Sequence, residues 1–445
     1  MKMKINRFVL LPHFLVFAAV LQGQNWAVAQ SDLSLNLAIE KAMANNFGIR
    51  IADNQAEIAE RNNTWGEAGA YPSINLLLSN GNAIADQTNN PTAFIREKLQ
   101  SNSLGASASL DWTIFGGFRV RTTKEKLELI SQLSDGNADL VLENTIQAVI
   151  VSYYAVLLEQ ERLSTLGELA TLSSDRRAYM RKRKELGVSG TFESLAFESA
   201  ALNDSTTLLL QQQQVRNAAR NLNLVMAEPV ESKFNLVDEL LLPGEQQEFN
   251  VLLNQMQQDN RNLRNQAINK AIAERDAKLA KSPMYPALNF SAGFADTRSQ
   301  FKAGELQGDG ETINYFGNFT IGFNLFNGGK TRRAIQNAQV LEEIAQLNYE
   351  QINRNLSADL SRAFEQFQDQ LNIYKLTSNN VDIAKTRLEL SEDRFERGLI
   401  SSLEYRDAQL AYLNASLQAT QSLYALNVAN LDIKRLCGNI TEGLN

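Results

Sequence analysis

The sequence predicts a mainly α-helical chain with a pair of membrane β-hairpins: long antiparallel coiled-coil helices, plus four strands that contribute to a shared barrel. Three observations lead there. Residues 92–228 and 287–445 contain no proline, so helices can run through them without interruption. In the second stretch Leu360, Phe367, Tyr374, Val381, Leu388 and Phe395 fall at strict seven-residue steps, with Ala363, Thr377, Ala384 and Ser391 between them. Large alternates with small, as a knobs-into-holes seam requires. Other segments alternate apolar and polar residues with a period of two, as strands do.

From the N-terminus, Lys2, Lys4 and Arg7 precede the apolar run Phe8 to Leu21 and an Ala27-Val28-Ala29 site, so residues 1–29 read as a cleaved export signal. The run is short of the ~20 residues of a membrane anchor and contains Pro12. No cysteine lies close after it to carry a lipid. Cleavage removes three of the 43 basic residues and none of the 50 acidic ones, moving the net charge from −7 to about −10, which argues against nucleic acid as a partner. It also removes His13, the only histidine, and leaves Cys437 as the only cysteine. No catalytic triad, His-ligated metal site or internal disulfide can then form, and no cofactor or metal is expected. Beyond residue 29 no apolar run reads as a spanning helix, so membrane entry falls to the strands.

The remainder is duplicated at a period of about 211 residues. Ala70-Tyr71-Pro72-Ser73 returns as Met284-Tyr285-Pro286-Ala287, Ile114-Phe115-Gly116-Gly117 as Leu325-Phe326-Asn327-Gly328-Gly329, Gly187 as Gly398, and Leu202-Asn203 as Leu413-Asn414. Each half reads helix, strand, long loop, strand, very long helix, Gly turn, helix. The first repeat spans 30–228, with a strand pair near 73–115 and a helical hairpin whose tip lies near 187–191. A linker at 229–250 contains Pro229 and Pro243-Gly244. The second repeat spans 251–438, with a strand pair near 287–326 and a tip near 398–402. A tail, 439–445, follows.

In the first strand pair Leu104, Ala106, Ala108, Leu110, Trp112 and Ile114 share a face opposite Gly105, Ser107, Ser109, Asp111 and Thr113. In the second, Tyr315, Phe319, Ile321, Phe323 and Leu325 oppose Asn314, Asn318, Thr320 and Asn324. With partners at 73–82 and 287–295, each has about the 9–11 residues of a bilayer-spanning strand. The polar stretches 83–102 and 296–313 read as extracellular loops. Four strands cannot close a barrel, and an open edge cannot sit in lipid. Three copies would supply twelve strands.

The helix from about 329 to 397 would be roughly 100 Å long. After Gly398 the step resumes at Leu403, Leu410, Leu417, Tyr424 and Leu431. Two facing stripes make residues 398–402 the tip of an antiparallel hairpin, with Gly398 ending one helix and Ser401 or Ser402 capping the next. In the first half Val149, Val156, Leu163 and Ala170 lead to Arg177 and Lys184, so that seam must shift.

The export signal, the duplication, the hairpins entering long helices through Phe-Gly-Gly, and the Arg397-Gly398-Leu399-Ile400-Ser401-Ser402-Leu403-Glu404 tip together resemble the TolC family of outer-membrane efflux proteins. The likeness covers nearly all of the chain beyond residue 29. It implies a homotrimer in outer-membrane lipid, with a twelve-stranded barrel continuous with a periplasmic helical tunnel. Its partners would be a periplasmic adaptor (membrane fusion) protein and an inner-membrane transporter, and residues 229–250 would be the equatorial region. In TolC a polar network near the tips holds the tunnel closed; here Phe192, Phe395 and Ile400 occupy matching positions, so closure is expected to be apolar or placed elsewhere.

The expected function is a passive exit duct for efflux, with type I protein secretion as an alternative. A pore-less exported coiled-coil scaffold is a further reading. An enzyme using Glu404 and Asp407 as acid and base is disfavoured, because a solvated helix tip suits such chemistry poorly. Three groups of residues carry the expectations. Gly187, Val188, Gly398, Leu399 and Ile400 form adaptor-docking tips. Trp112, Phe115, Phe118, Phe323 and Phe326 form a membrane-interface girdle, with Arg119, Arg121, Lys330, Arg332 and Arg333 just beneath it. Glu404 and Asp407, which match TolC's constricting aspartates, form an acidic pore ring with Glu193.

Overall fold

The computed structural model describes residues 31–440, so the export signal and the last residues of the tail lie outside the described residues. Two 67-residue helices, α3 (Arg119–Glu185) and α7 (Lys330–Glu396), dominate it. Each turns into a 35-residue helix, α4 (Thr191–Val225) and α8 (Ser402–Leu436). All four bounds repeat at a spacing of 211 residues, whereas β2 (Ser73–Asp86) and β5 (Ala287–Ala303) begin 214 apart. The three-residue difference lies in the strand hairpins, whose connections are 87–97 in the first and 304–305 in the second. Four shorter helices precede the strands: α1 (Leu35–Asn45) and α2 (Phe47–Asn62) in the first repeat, α5 (Phe249–Asp259) and α6 (Arg261–Lys281) in the second.

The strands β2, β3 (Lys98–Gly116), β5 and β6 (Leu306–Gly322) form one antiparallel sheet in the order β2-β3-β5-β6. They are longer than the sequence reading allowed, and most of what read as extracellular loop is strand. Past the apolar region the ladder continues through polar residues, since paired backbone needs no apolar side chain. There Arg298 bridges Glu311 at 3.0 Å and Asp296 at 3.6 Å.

Register aligns the apolar face across all four strands: Ile74, Leu76 and Leu78 with Leu110, Ala108 and Ala106, then with Ala292, Phe294 and Asp296. Cross-strand ring pairs Phe290–Phe319 (4.6 Å) and Phe294–Tyr315 (6.3 Å) lie on it. The opposite face carries Asn75, Ser79, Ser107, Asn289, Ser291 and Asn318. The register shifts between Thr113 and Phe115, leaving Ile114 as an extra residue. This bulge brings Phe115 onto the Trp112 face, which strict alternation from Trp112 would have denied it.

Below the sheet the helices pack in the order α2-α3-α6-α7, and below the middle of the molecule α4-α3-α8-α7. A short parallel pair, β1 (Ser31–Leu33) with β4 (Phe234–Leu236), ties the start of the described chain to the 229–250 segment. Beside it the buried Tyr153 hydroxyl lies 2.7 Å from Asp238 Oδ2, which also accepts from the Leu35 N–H. Each repeat has its own core at this level. Ile146, Val149, Ile150, Tyr153, Leu222 and Met226 centre one, and Met256, Leu360, Phe367, Leu426 and Ile433 the other. In contrast to the sequence reading, α3 does contain an 18-residue window apolar enough to cross a membrane. Its residues from Ile146 to Leu158 belong largely to the first core.

The α7 seam lies where its heptads put it: Leu360, Ala363, Phe367, Thr377, Ala384 and Phe395 are buried. The α8 seam does not. Leu403 is 77% exposed, and the buried row is Ala408, Ala415, Ser422, Ala429 and Leu436. Small residues admit the bulky α7 knobs, and Thr377 meets Ser422 at 2.8 Å between the two helices. In α3 the seam shifts as expected, passing from Ala170 to Ser173, Arg176 and Met180 and leaving Arg177 and Lys184 outside. Cys437 is buried beneath Leu252, its thiol pushed up to about 11 by burial. A maleimide should therefore label it only after denaturation, and labelling of the folded protein would contradict this packing.

Candidate functional site

The two hairpin tips are built alike. Gly187 and Gly398 are left-handed, at φ 73° and 74°. Around each, two backbone bonds close the helix end: Gly187 to Lys184 and Val188 to Arg183, Gly398 to Phe395 and Leu399 to Arg394. This is the glycine termination its sequence position predicts. Val188 and Leu399 are exposed, whereas Ile400 is half-buried against Phe395 and Tyr405. The structure adds Leu186 and Phe192, the latter 84% exposed, to the apolar tip surface.

Ser401 caps α8 in a full capping box with Glu404. Glu404 Oε2 accepts from the Ser401 backbone N–H and from its hydroxyl, both at 2.8 Å. These bonds, the backbone one first, hold its carboxyl below the usual glutamate range. The cap therefore contributes fully above the ordinary glutamate pKa and is lost as pH falls through the lowered value. Ser401→Ala should cost about 1 kcal/mol of helix-end stability, readable as faster amide exchange at the α8 start; unchanged exchange would contradict the cap. Glu193 takes the equivalent third position of α4, with no side-chain partner among the described residues. Asp407 pairs with Arg387 of α7 at 2.5 Å. Two of the three ring candidates thus have local structural roles.

Just inside the tips lies a polar network that seam periodicity alone could not locate. Arg176 of α3 binds Glu392 and Glu396 of α7, with its guanidinium 5.4 Å from the Tyr405 ring of α8. Arg406 of α8 reaches the other way. Its Nη2 donates to Asp204 Oδ1 of α4 at 2.6 Å and its Nη1 to Oδ2 at 2.8 Å, with Ser173 of α3 alongside. Met180, Phe197, Phe395 and Tyr405 fill the space between. Each arginine crosses a neighbouring helix, so the four helices are tied together. Phe395, expected to mark an apolar closure, is packing for this network: its ring stacks on Tyr405 at 5.0 Å. The sequence showed that the α3 seam must shift before Arg177, but not that Arg176 lies inside it.

At the sheet's helical end Phe115, Phe118 and Tyr285 stack edge to face at 5.3 and 5.4 Å, and Trp112 Nε1 donates to the Ala70 carbonyl at 2.9 Å. Phe323 and Phe326 are exposed just after β6. The five girdle candidates therefore occupy the junction between sheet and helices.

An open-edged sheet with one apolar face, continued by a helical wall about 100 Å long, has the architecture of one segment of a barrel-and-tunnel wall. Residues 252–439 match the family described as outer membrane efflux protein, in agreement with the TolC-type resemblance of the sequence. Nodulation protein T of Rhizobium leguminosarum bv. trifolii is 21% identical over 425 residues, covering 91% of this chain and 86% of that one. The same fold occurs in the CmeC outer membrane channel of Campylobacter jejuni, with TM-score 0.73, 16% identity and coverage of 91% and 86%. It occurs also in the open-state MtrE outer membrane channel of Neisseria gonorrhoeae, with TM-score 0.72, 16% identity and coverage of 91% and 89%.

Proposed function

We propose that three copies of the chain close into one tube, and that this tube is the passive exit duct of a multicomponent efflux or secretion system. A periplasmic adaptor and an inner-membrane transporter would feed it, and it performs no catalysis itself. The observation that carries this is the match between its two open sides. On edge helix α4 Leu195, Leu202 and Leu209 are exposed at heptad spacing; on edge helix α7 so are Leu390, Ile383 and Leu376. The two rows stand at equal depths from the tips and run antiparallel. Higher up, Ile58 and Ile51 of α2 match Val340 and Leu347 of α7 in the same way. Edge strands β2 and β6 carry exposed apolar residues and free hydrogen-bonding edges. A head-to-tail contact of one side with the other closes when the rotation is three-fold, and it leaves no strand edge in lipid.

In that assembly the apolar sheet face meets lipid, the girdle sits at the periplasmic interface, and residues 229–250 form the equator. The test is purified protein in planar bilayers: a trimer about three times the chain mass with stepwise conductance supports the duct, and a detergent-free monomer without conductance refutes it. The tips are the adaptor contact. A Cβ at Gly187 or Gly398 would meet nothing within 4 Å, so added bulk there crowds a partner, with strain confined to the left-handed turn. Gly398→Phe should abolish export with trimers intact; export that survives replacement of both glycines would place the contact elsewhere.

Glu193, Glu404 and Asp407 supply nine carboxylates per trimer to a ring near the tips. Such rings favour cations, but Arg387 offsets Asp407. Glu404→Gln with Asp407→Asn should reduce cation selectivity, and Arg387→Gln should raise it. If neither reversal potential moves, these acids do not line the pore.

A further inference from the structure

The two tips share a backbone but not a charge. Residues 176–184, at the end of α3, contain six basic side chains and no acid; residues 387–395, their counterparts in α7, contain Arg387 and Arg394 against Glu389, Glu392 and Asp393. Ion pairs occupy much of the α7 set: Arg387 with Asp407, Asp393 with Arg397, Glu392 with Arg176. On α3 only Arg176 points inward. The side chains of Arg177, Lys182 and Lys184 are exposed and make no hydrogen bond or ion pair among the described residues. Arg181 reaches Glu185 only at 4.0 Å, and Arg183 lies over the Tyr179 ring at 5.7 Å. The acids across the hairpin, Glu193 and Glu198, bind none of them.

Folding rewards this cluster only in part. Lys182, Arg183 and Lys184 in the last turn complement the helix dipole. That effect fades within a turn and does not reach Arg177. Arg177, Arg181 and Lys184 follow one another at i,i+4 and i,i+3, where like charges repel. The stripe lies on an otherwise acidic chain, beside the exposed apolar Leu186, Val188 and Phe192. An apolar centre with a charged rim of one sign is the layout of a protein interface that selects its partner by charge.

We propose that Arg177, Arg181 and Lys184, with Lys182 and Arg183, form a docking surface for an acidic protein partner, which engages the first hairpin of each protomer while the charge-balanced second hairpin takes apolar contact. This rests on the exit-duct reading and names the chemistry of its periplasmic partner. In the assembled duct the acidic surface would therefore contact every second hairpin around the ring.

The test places photoreactive p-benzoylphenylalanine at Ser189 of the full-length protein in its native cells and maps the product by mass spectrometry. The expected cross-link joins an Asp/Glu-rich segment of a periplasmic protein. Its yield should fall at least about tenfold in Arg177→Glu/Arg181→Glu/Lys184→Glu, since like charges across an interface are strongly unfavourable, and return when the mapped acids are changed to Lys. The milder Arg177→Gln/Arg181→Gln/Lys184→Gln variant should lower the yield too, and in both variants trimer mass and conductance should be unchanged. The proposal is overturned by an unchanged yield, by a cross-link to a neutral or basic segment, by no cross-link, or by a lipid adduct with charge-dependent binding to phosphatidylglycerol vesicles. Wild-type protein without trimers or conductance would instead sink the exit-duct reading itself.

Discussion

Arg406→Ala is expected to open the tunnel end: single-channel conductance should rise several-fold while the trimer keeps its mass. Asp204 is 8% exposed at its side chain and Arg406 18%, so the substitution strands a buried carboxylate. Breaking a buried pair from one side costs about 3–5 kcal/mol, because the remaining charge has lost its partner and not regained water. Moving the α7/α8 coil away from α3/α4 relieves that cost, since it lets water reach Asp204. Arg176→Ala should do less, because Glu392 and Glu396 are 41% and 57% exposed at their side chains and already solvated. Asp204→Ala combined with Arg406→Ala should recover part of the lost thermal stability. If the double variant is no more stable than Arg406→Ala, the pair is not what holds the coils together.

That network also marks where the sequence was legible and where it was not. Duplication, long helices, Gly tips and the α7 seam were all readable, because each rests on local chemistry: proline absence, left-handed glycine, and heptads of large apolar side chains. The α8 seam was misread for a physical reason. Ala408, Ala415 and Ala429 mark the contact by being small, whereas the eye follows Leu403 and Leu410, which the single chain leaves exposed. Strand lengths were underread because the ladder continues past the apolar band on backbone bonds that side chains do not report. The crossed arginines join residues more than 200 positions apart, 176 with 392 and 406 with 204. No periodicity within one helix specifies such a pairing. Glu404 was expected to belong to an acidic pore ring, but Ser401 three residues earlier also spelled a capping box, and the structure uses it as one.

Ile383→Glu on α7, or Leu202→Glu on α4, is expected to abolish the trimer, and with it all conductance. The two residues are exposed in the single chain and stand at matching depth in the middle of their rows. Burying each Leu or Ile contributes about 1.5–3 kcal/mol, and the row Leu195–Leu390, Leu202–Ile383, Leu209–Leu376 repeats at all three seams. A carboxylate at the centre removes one such contribution per seam and adds a charge to be desolvated without a partner. The loss therefore occurs three times in every assembly. The register makes the test specific. Leu202→Lys combined with Ile383→Glu sets an ion pair across the seam and should restore trimers in part, whereas Leu209→Lys with Ile383→Glu, one heptad out of register, should restore fewer. Gel migration of unheated, detergent-extracted protein reads the outcome, with melting on boiling as the control. Should the single variants run as trimers, or both double variants be rescued alike, α4 does not meet α7 of the neighbouring protomer in this register.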